Sequence, residues 1–213
     1  MTGHQAEGMP EDVTPEWNAV KSAVAELQLF WNFHVRFCGN DEDVAVMRQI
    51  IGFPFLIIRK ALLVSITMEI GKLMDKDETT IKKKTFVNLS LRRLVKSLGP
   101  HCPDPLKSRL ATMLDDLKTL YEPIDLWRDK RWGHSDKEMV LGLGPIPLPE
   151  IPQQQFENVL GIMRQVLQAI HAHFNGTDVP MHFPEPTGDA ERLIDYILTG
   201  HKAKQAEIAS QFP

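Results

Sequence analysis

The segment from Tyr121 to Asp136 holds the residues whose types and spacing are best suited to chemistry. Arg128, Asp129 and His134 lie near the predicted end of a helix, and such a trio could cleave a phosphodiester without a metal ion. His134 would move a proton, because imidazole titrates near neutral pH. Arg128 would stabilise charge on the phosphoryl oxygens, and Asp129 would orient either partner. If the substrate is RNA, the nucleophile is the 2′-hydroxyl beside each phosphate.

The spacing of Arg128 and His134 is not distinctive alone, because the chain holds a second Arg–His pair, Arg164 and His171. That second pair lies in a plain amphipathic helical pattern with no polar cluster around it. The alternative interpretation of the first pair is a solvated helix end, with His134 interacting favourably with the helix dipole. The residues by themselves leave both interpretations open.

The neighbours of this trio are candidates for RNA binding. Lys130 and Arg131 could contact phosphates, and Trp132 could narrow the cleft or stack on a base. The alternative for Lys130 and Arg131 is a solvated helix face.

A second basic group, Lys82–Lys84 with Arg92, Arg93 and Lys96, could hold a nucleic-acid backbone, although a charge run is more often solvated surface.

The histidines do not predict a metal site. His171 and His173 are two residues apart on a predicted helix and so point to different faces, and His182 adds no compact ligand spacing. A metal-dependent helical enzyme therefore ranks below the metal-independent interpretation. No phosphate-binding glycine loop occurs, so the sequence predicts neither a metal nor a cofactor. Cys38 and Cys102 are expected to be inert thiols.

The composition bounds the class of protein. The chain has 213 residues, a formal net charge of -4 and two cysteines. The charge gives no global basic field, so any nucleic-acid contact must come from a local patch. The N-terminus has no apolar segment typical of a secretory signal, and the apolar run Ile50–Ile58 is too short to span a bilayer. We therefore expect a cytoplasmic protein without membrane contact.

Apolar periodicity and helix-capping residues predict the elements that position these side chains. The predicted helices cover 14–37, 41–74, 89–98, 104–127, 152–174 and a segment from 189 onward. This pattern predicts an all-α bundle of four to five main helices with a small C-terminal helix. The predicted domains are a flexible leader at 1–13, the bundle at 14–174, and a C-terminal loop and helix at 175–213.

Several local features refine this prediction. Pro54 is expected to kink or split the second helix, and Pro123 to kink the one before Arg128. Apolar residues on nearly all sides from Ile50 to Met68 predict the most buried helix. Residues 75–80 are predicted to be a polar linker, and Asn88 to cap the short helix that follows it.

The sequence from Ile124 to Asp136 resembles the signature of the HEPN superfamily. It is most similar to the abortive-infection AbiU-like branch, whose pattern is Arg-[Asn/Asp]-Lys-x-x-[small]-His-x-Asp. Trp132 and Gly133 depart slightly from the aliphatic-then-alanine pair usual in that branch. The resemblance extends over roughly residues 14–174, including the short mid-chain segment that begins at Asn88.

This resemblance implies a HEPN-like helical bundle that forms a homodimer, in which two Arg–His motifs face one cleft. It implies a metal-independent endoribonuclease of a toxin–antitoxin or phage-defence system, with Arg128, Asp129 and His134 as catalytic residues. The partners implied are RNA, a second copy of the chain and an antitoxin protein. Since some HEPN proteins are inactive, the alternative is a non-catalytic module that binds a nucleotide, RNA or a partner protein.

Overall fold

The computed structural model describes residues 8–39, 41–133, 150–176, 181–183 and 188–211. Within these residues the chain forms seven α-helices and one two-stranded sheet. The helices are α1 (Thr14–Cys38), α2 (Asp41–Ile51), α3 (Phe53–Met74), α4 (Leu91–Leu98), α5 (Asp104–Trp127), α6 (Gln153–Asn175) and α7 (Asp189–Gln211). The predicted all-α fold class is confirmed. Among the helices of this described part, none is long and apolar enough to cross a membrane.

Most helix ends lie close to the positions that the sequence signals predict. The predicted helix at 41–74 is split, which is one of the two outcomes expected from Pro54. The break lies at Gly52, which adopts a φ of 69° between α2 and α3, a conformation that glycine adopts readily. The C-terminal helix α7 has 23 residues and is therefore longer than the small helix predicted there. Helix α5 continues through Pro123 as far as Trp127.

The prediction that the helix around Ile50–Met68 is the most buried one is wrong for its first half. Phe53 is 74% exposed and Ile57 is 53% exposed, whereas Ile66 and Ile70 are fully buried. In that first half only one side, which includes the buried Phe55, contacts a core. In this segment, apolar residues on all sides of a helix therefore do not indicate that the helix is buried.

A β-hairpin occupies part of the predicted polar linker and the residues after it. Strand β1 (Glu78–Ile81) pairs antiparallel with β2 (Lys84–Val87). The two-residue turn between them has φ values of 47° at Lys82 and 70° at Lys83, as expected for a tight hairpin turn of type I′. Four-residue strands are too short to give a clear periodic signal, which is why the sequence pattern did not predict them.

The short helix α4 begins two residues later than predicted. Its cap is Ser90, whose side chain accepts a hydrogen bond from the backbone N–H of Arg93. Asn88, the predicted cap, instead donates through its side-chain amide to the backbone oxygen of Lys76 and to Oγ1 of Thr79. Asn88 thereby ties the end of the hairpin to its beginning.

The chain divides into two compact units. The first combines the chain up to Leu27 with Thr67–Phe183, and the second combines Gln28–Ile66 with the chain from Pro184 onward. In the first unit α5 packs along α6. The buried side chains of these two helices are Leu110, Leu117, Tyr121, Ile124, Phe156, Val159, Leu160, Met163, Val166, Leu167, Ala169, Ile170 and Phe174. In the second unit a core forms around Phe37, Met47 and Phe55.

Candidate active site around Arg128

The backbone changes its helical geometry at Arg128. Helix α5 ends at Trp127, and Arg128–Gly133 form a turn of π-helix. At the junction the N–H of Arg128 donates to the backbone oxygens of both Ile124 and Asp125. Single π-helical turns within helices occur frequently at functional sites. The predicted catalytic segment therefore begins where the regular helix ends.

Arg128 is held by carboxylates from three positions. Its Nη1 lies 3.0 Å from Oδ1 of Asp75, which follows α3 directly, and its Nη2 lies 2.9 Å from Oδ1 of Asp125. Its Nε lies 3.5 Å from Oδ1 of Asp129, a longer and weaker contact. Side-chain charge pairs of this kind fix the plane of the guanidinium as well as its position. The Arg128 side chain is 21% exposed, so it is partly accessible from solvent.

Tyr121 contacts both Arg128 and its partner Asp125. Its ring is almost fully buried, with the guanidinium carbon of Arg128 5.9 Å from the ring centroid. Its hydroxyl donates to Oδ1 of Asp125 over 2.8 Å. Burial first, and then this hydrogen bond, raise the pKa of Tyr121 far above its ordinary value. Tyr121 therefore stays a neutral donor that orients Asp125 toward Arg128.

Gly71 in α3 leaves the space that Arg128 occupies. A Cβ atom at this position would lie 2.5 Å from Nη1 and 2.6 Å from Cδ of Arg128, and 3.1 Å from the Tyr121 hydroxyl. These distances are well inside van der Waals contact. Glycine at position 71 therefore lets the end of α3 and the end of α5 approach each other around the guanidinium.

Gly71→Ala is expected to lower the free energy of unfolding by about 1–2 kcal/mol, because Arg128 must move off its carboxylates to admit the methyl group. Urea unfolding of the two proteins measures this difference. The matched control is Gly161→Ala in α6, where a Cβ meets nothing within 4 Å. That control is expected to stabilise by about 0.5–1 kcal/mol, as alanine does in a helix interior. Equal stabilisation by both changes would contradict the close contact at Gly71.

The charged groups in direct contact with Arg128 are acidic. One guanidinium faces the carboxylates of Asp75, Asp125 and Asp129. Burial lowers the pKa of Arg128, but its neighbours Tyr121, Asp125 and Asp75 outweigh burial and raise that pKa, so the guanidinium stays charged. Of the three carboxylates, Asp129 has the most exposed side chain, at 58%, and the longest contact with Arg128.

The other predicted site residues are placed as follows. Lys130 and Arg131 lie in the π-helical turn and are exposed, and the guanidinium carbon of Arg131 lies 5.1 Å from the ring centroid of Trp127. Trp132 belongs to the same turn, but its side chain lies outside the described part of the structure. His134 also lies outside the described residues. The structure therefore brings Arg128 and Asp129 together, and the position of His134 relative to them stays a prediction.

The second Arg–His pair lies in a regular helix. Arg164 and His171 belong to α6, where seven residues advance about 10 Å along the axis. His171 shares a hydrogen bond with the side chain of Asn175. In the described ranges, no cluster of three or more His, Cys, Asp or Glu side chains could hold a metal ion. Arg164 and His171 therefore serve as matched controls for Arg128 and His134.

Two cations of the predicted basic patch form ion pairs. Arg93 pairs with Glu16 over 3.1 Å, and Lys96 pairs with Asp77. Arg93 and Lys96 therefore each have a carboxylate partner within the first unit. Lys82, Lys83 and Lys84 form no ion pair with any other described residue and lie exposed at the end of the hairpin.

Four residues of this site were not assigned a role by sequence reasoning. Tyr121 and Asp125 precede Arg128 by seven and three positions, a spacing that places all three on one helical face, so that signal was available. Gly71 and Asp75 come from another helix and the residue after it. No spacing within one sequence predicts that contact.

The chain is similar to one known protein family. A protein-family model described as AbiU2, a HEPN model, matches residues 10–193. The match covers α1 to α6 and the whole segment from Tyr121 to Asp136. No curated protein and no solved structure matches the chain.

Proposed function

The chain belongs to the AbiU2 family of HEPN-domain proteins, an abortive-infection family, and from this premise we propose that it is a metal-independent endoribonuclease. The observation that carries the proposal is the anchored guanidinium of Arg128, which is 21% exposed at the start of the turn leading to His134. A positioned and partly exposed guanidinium is suited to binding phosphoryl oxygens.

In the proposed reaction, the 2′-oxygen of a ribose attacks the adjacent phosphorus, and the bond between phosphorus and the 5′-oxygen of the next nucleotide breaks. The products are a 2′,3′-cyclic phosphate and a 5′-hydroxyl. One His134 removes the proton of the 2′-hydroxyl, and the His134 of the second protomer in a homodimer donates a proton to the leaving oxygen. Arg128 stabilises the phosphoryl oxygens as their charge increases, and Asp129 orients Arg128.

The proposed biological role is that of a toxin in a phage-defence system, controlled by an antitoxin protein. In this role RNA is the substrate, and Lys130, Arg131 and Trp132 contact the RNA next to the cleaved phosphate. Membership in the abortive-infection family supports the role.

A second candidate is a non-catalytic HEPN module that binds a nucleotide, RNA or a partner protein. The acidic surroundings of Arg128 favour the form of this candidate that binds a partner protein, since three carboxylates face one guanidinium and repel an anionic phosphodiester. This candidate predicts a ligand-dependent rise in melting temperature without turnover.

The decisive experiment is cleavage of a mixed RNA substrate in EDTA by the wild type and by His134→Ala. His171→Ala is the matched control, because it removes the histidine of the other Arg–His pair. We expect cleavage by the wild type and the control, and loss of at least about a hundredfold in His134→Ala.

Three outcomes would count against the endoribonuclease. Equal cleavage by wild type and His134→Ala would assign the activity to another site or to a contaminant. Loss of cleavage in EDTA that magnesium restores would exclude the metal-independent mechanism. No cleavage together with a ligand-dependent rise in melting temperature would favour the binding module.

A further inference from the structure

The hairpin formed by β1 and β2 projects its side chains into solvent on both faces. All eight strand residues are exposed. Cross-strand partners share a face of the sheet, so Thr79, Ile81, Lys84 and Phe86 lie on one face. Phe86 is 51% exposed and Ile81 is 56% exposed. This face therefore presents an aromatic ring, an aliphatic side chain and a cation together.

The residues at the tip of the hairpin are unfavourable for the hairpin itself. Both turn residues, Lys82 and Lys83, have positive φ values, and a turn of this type prefers Asn-Gly because those residues adopt this conformation most easily. Lys84 adds a third like charge beside them, and adjacent like charges repel. Residues that a turn disfavours, and that add no contact stabilising it, are typical of functional sites. Lys82 and Lys83 therefore indicate a functional use of their side chains.

The base of the hairpin is hydrogen-bonded, and it lies a few residues along the chain from Asp75, which contacts Arg128. Strand β1 starts three residues after Asp75, whose carboxylate contacts Arg128. At the base, the backbone N–H of Asn88 donates to the oxygen of Asp77 over 2.8 Å, and Asp77 pairs with Lys96. Lys82 follows Asp75 by seven positions, so the tip lies within roughly 25 Å of the carboxylate that anchors Arg128.

The direct charge contacts of Arg128 are three carboxylates, so RNA bound at this site gains from further cations nearby. The lysines at the hairpin tip supply positive charge close by, without an ion pair to another described residue. Basic side chains that follow the backbone, combined with an aromatic side chain on which a base can stack, are the usual means of binding single-stranded nucleic acid.

We infer that the hairpin Glu78–Val87 is an arm that binds single-stranded RNA beside the Arg128 site. Lys82, Lys83 and Lys84 bind phosphates, and Phe86 stacks on a base. The choice of RNA as the ligand rests on the proposed function. The hairpin thereby adds a binding subsite a few nucleotides away from the cleaved phosphate.

The test measures binding of a fluorescent 12-nucleotide RNA of mixed sequence by anisotropy, over a range of salt concentrations. The protein carries His134→Ala so that the RNA stays intact. The key variant is Lys82→Asn with Lys83→Gly, which removes two charges and supplies the residues that the turn prefers. Its matched control is Lys107→Gln with Lys118→Gln, which removes two exposed charges from α5.

We expect the key variant to bind RNA about tenfold more weakly and its melting temperature to stay the same or rise. The slope of log K against log salt should decrease by about 1.4, the value for two phosphate contacts on a single strand. The α5 control should change neither affinity nor slope. Lys82→Arg with Lys83→Arg should retain the affinity, and Phe86→Leu should weaken binding about tenfold.

Unchanged affinity and salt slope in the key variant would overturn the inference. An equal loss in the α5 control would overturn it too, because the effect would then be one of net charge. Binding of anionic lipid vesicles that depends on the lysines, with RNA affinity unaffected, would assign the arm to a membrane instead. Hairpin-dependent RNA binding without cleavage by the wild type would support the arm and contradict only the endoribonuclease.

Discussion

Arg128→Ala is expected to lower the rate of RNA cleavage in EDTA by about a hundred- to a thousandfold. Under the proposed mechanism Arg128 stabilises charge that develops on the phosphoryl oxygens, and loss of one such positioned donor has an effect of this size. Initial rates with the wild type and the variant, measured at equal concentrations of folded protein, test the expectation. Arg164→Ala in α6 is the control and should leave the rate unchanged.

Arg128→Lys separates charge from geometry. The carboxylates of Asp75 and Asp125 engage the two terminal nitrogens of the guanidinium separately. Lysine keeps the charge but has a single nitrogen, so it cannot contact both carboxylates and a phosphate in the same way. We expect most of the activity to be lost in this variant as well. Full activity in Arg128→Lys would show that only the charge matters.

Loss of Arg128 also affects stability, because it leaves the carboxylates of Asp75, Asp125 and Asp129 without their shared cation. The double variant Arg128→Ala with Asp75→Asn removes part of that repulsion. We expect it to regain stability relative to Arg128→Ala, with a coupling energy of about 0.5–3 kcal/mol, and to stay inactive. Recovery of cleavage in the double variant would make the role of Arg128 structural rather than catalytic.

The long helices could be predicted closely from sequence. Helix α1 begins at Thr14 and α6 spans Gln153–Asn175, each within about one residue of the predicted range. Both carry an apolar stripe at helical spacing, with a proline in the first turn of α1 and another just before α6. Such signals are local, so one sequence is enough to detect them.

The hairpin could not be predicted in this way. Its turn carries Lys82 and Lys83 in a conformation that usually signals itself through Asn-Gly, and its strands are too short for a periodic pattern. The site was only partly predictable for a related reason. The contacts of Arg128 with Tyr121 and Asp125 follow from helical spacing, but its contacts with Gly71 and Asp75 depend on the packing of α3.

The second unit is expected to lose stability as the pH falls, through His34 in α1. Burial first, and then the charge of Arg59, lower the pKa of His34 to about 4 from an ordinary value of 6.5. Its Nδ1 is buried and has no hydrogen-bond partner among the described residues, and its ring stacks on Trp31 with centroids 5.7 Å apart. The native imidazole therefore stays neutral at a pH where the unfolded chain is protonated.

The sign and size of the effect follow from this difference. Between pH 6.5 and about 4 the unfolded chain binds a proton that the native protein does not, so the free energy of unfolding falls as the pH falls. Above this range neither state is protonated at His34, and below it both are. Allowing for the partial exposure of His34, we expect a loss of about 2 kcal/mol across the window.

Urea unfolding at pH 7.5, 6, 5 and 4.5 measures the effect, with His34→Gln as the test variant. Glutamine does not titrate, so the variant should lose less stability on acidification than the wild type. His182→Gln removes an exposed histidine and should follow the wild type at each pH. Carboxylates that titrate in the same range act on all three proteins alike, so the difference between them isolates His34. Parallel curves for the wild type and His34→Gln would show that the imidazole is protonated in the native protein as readily as in the unfolded chain.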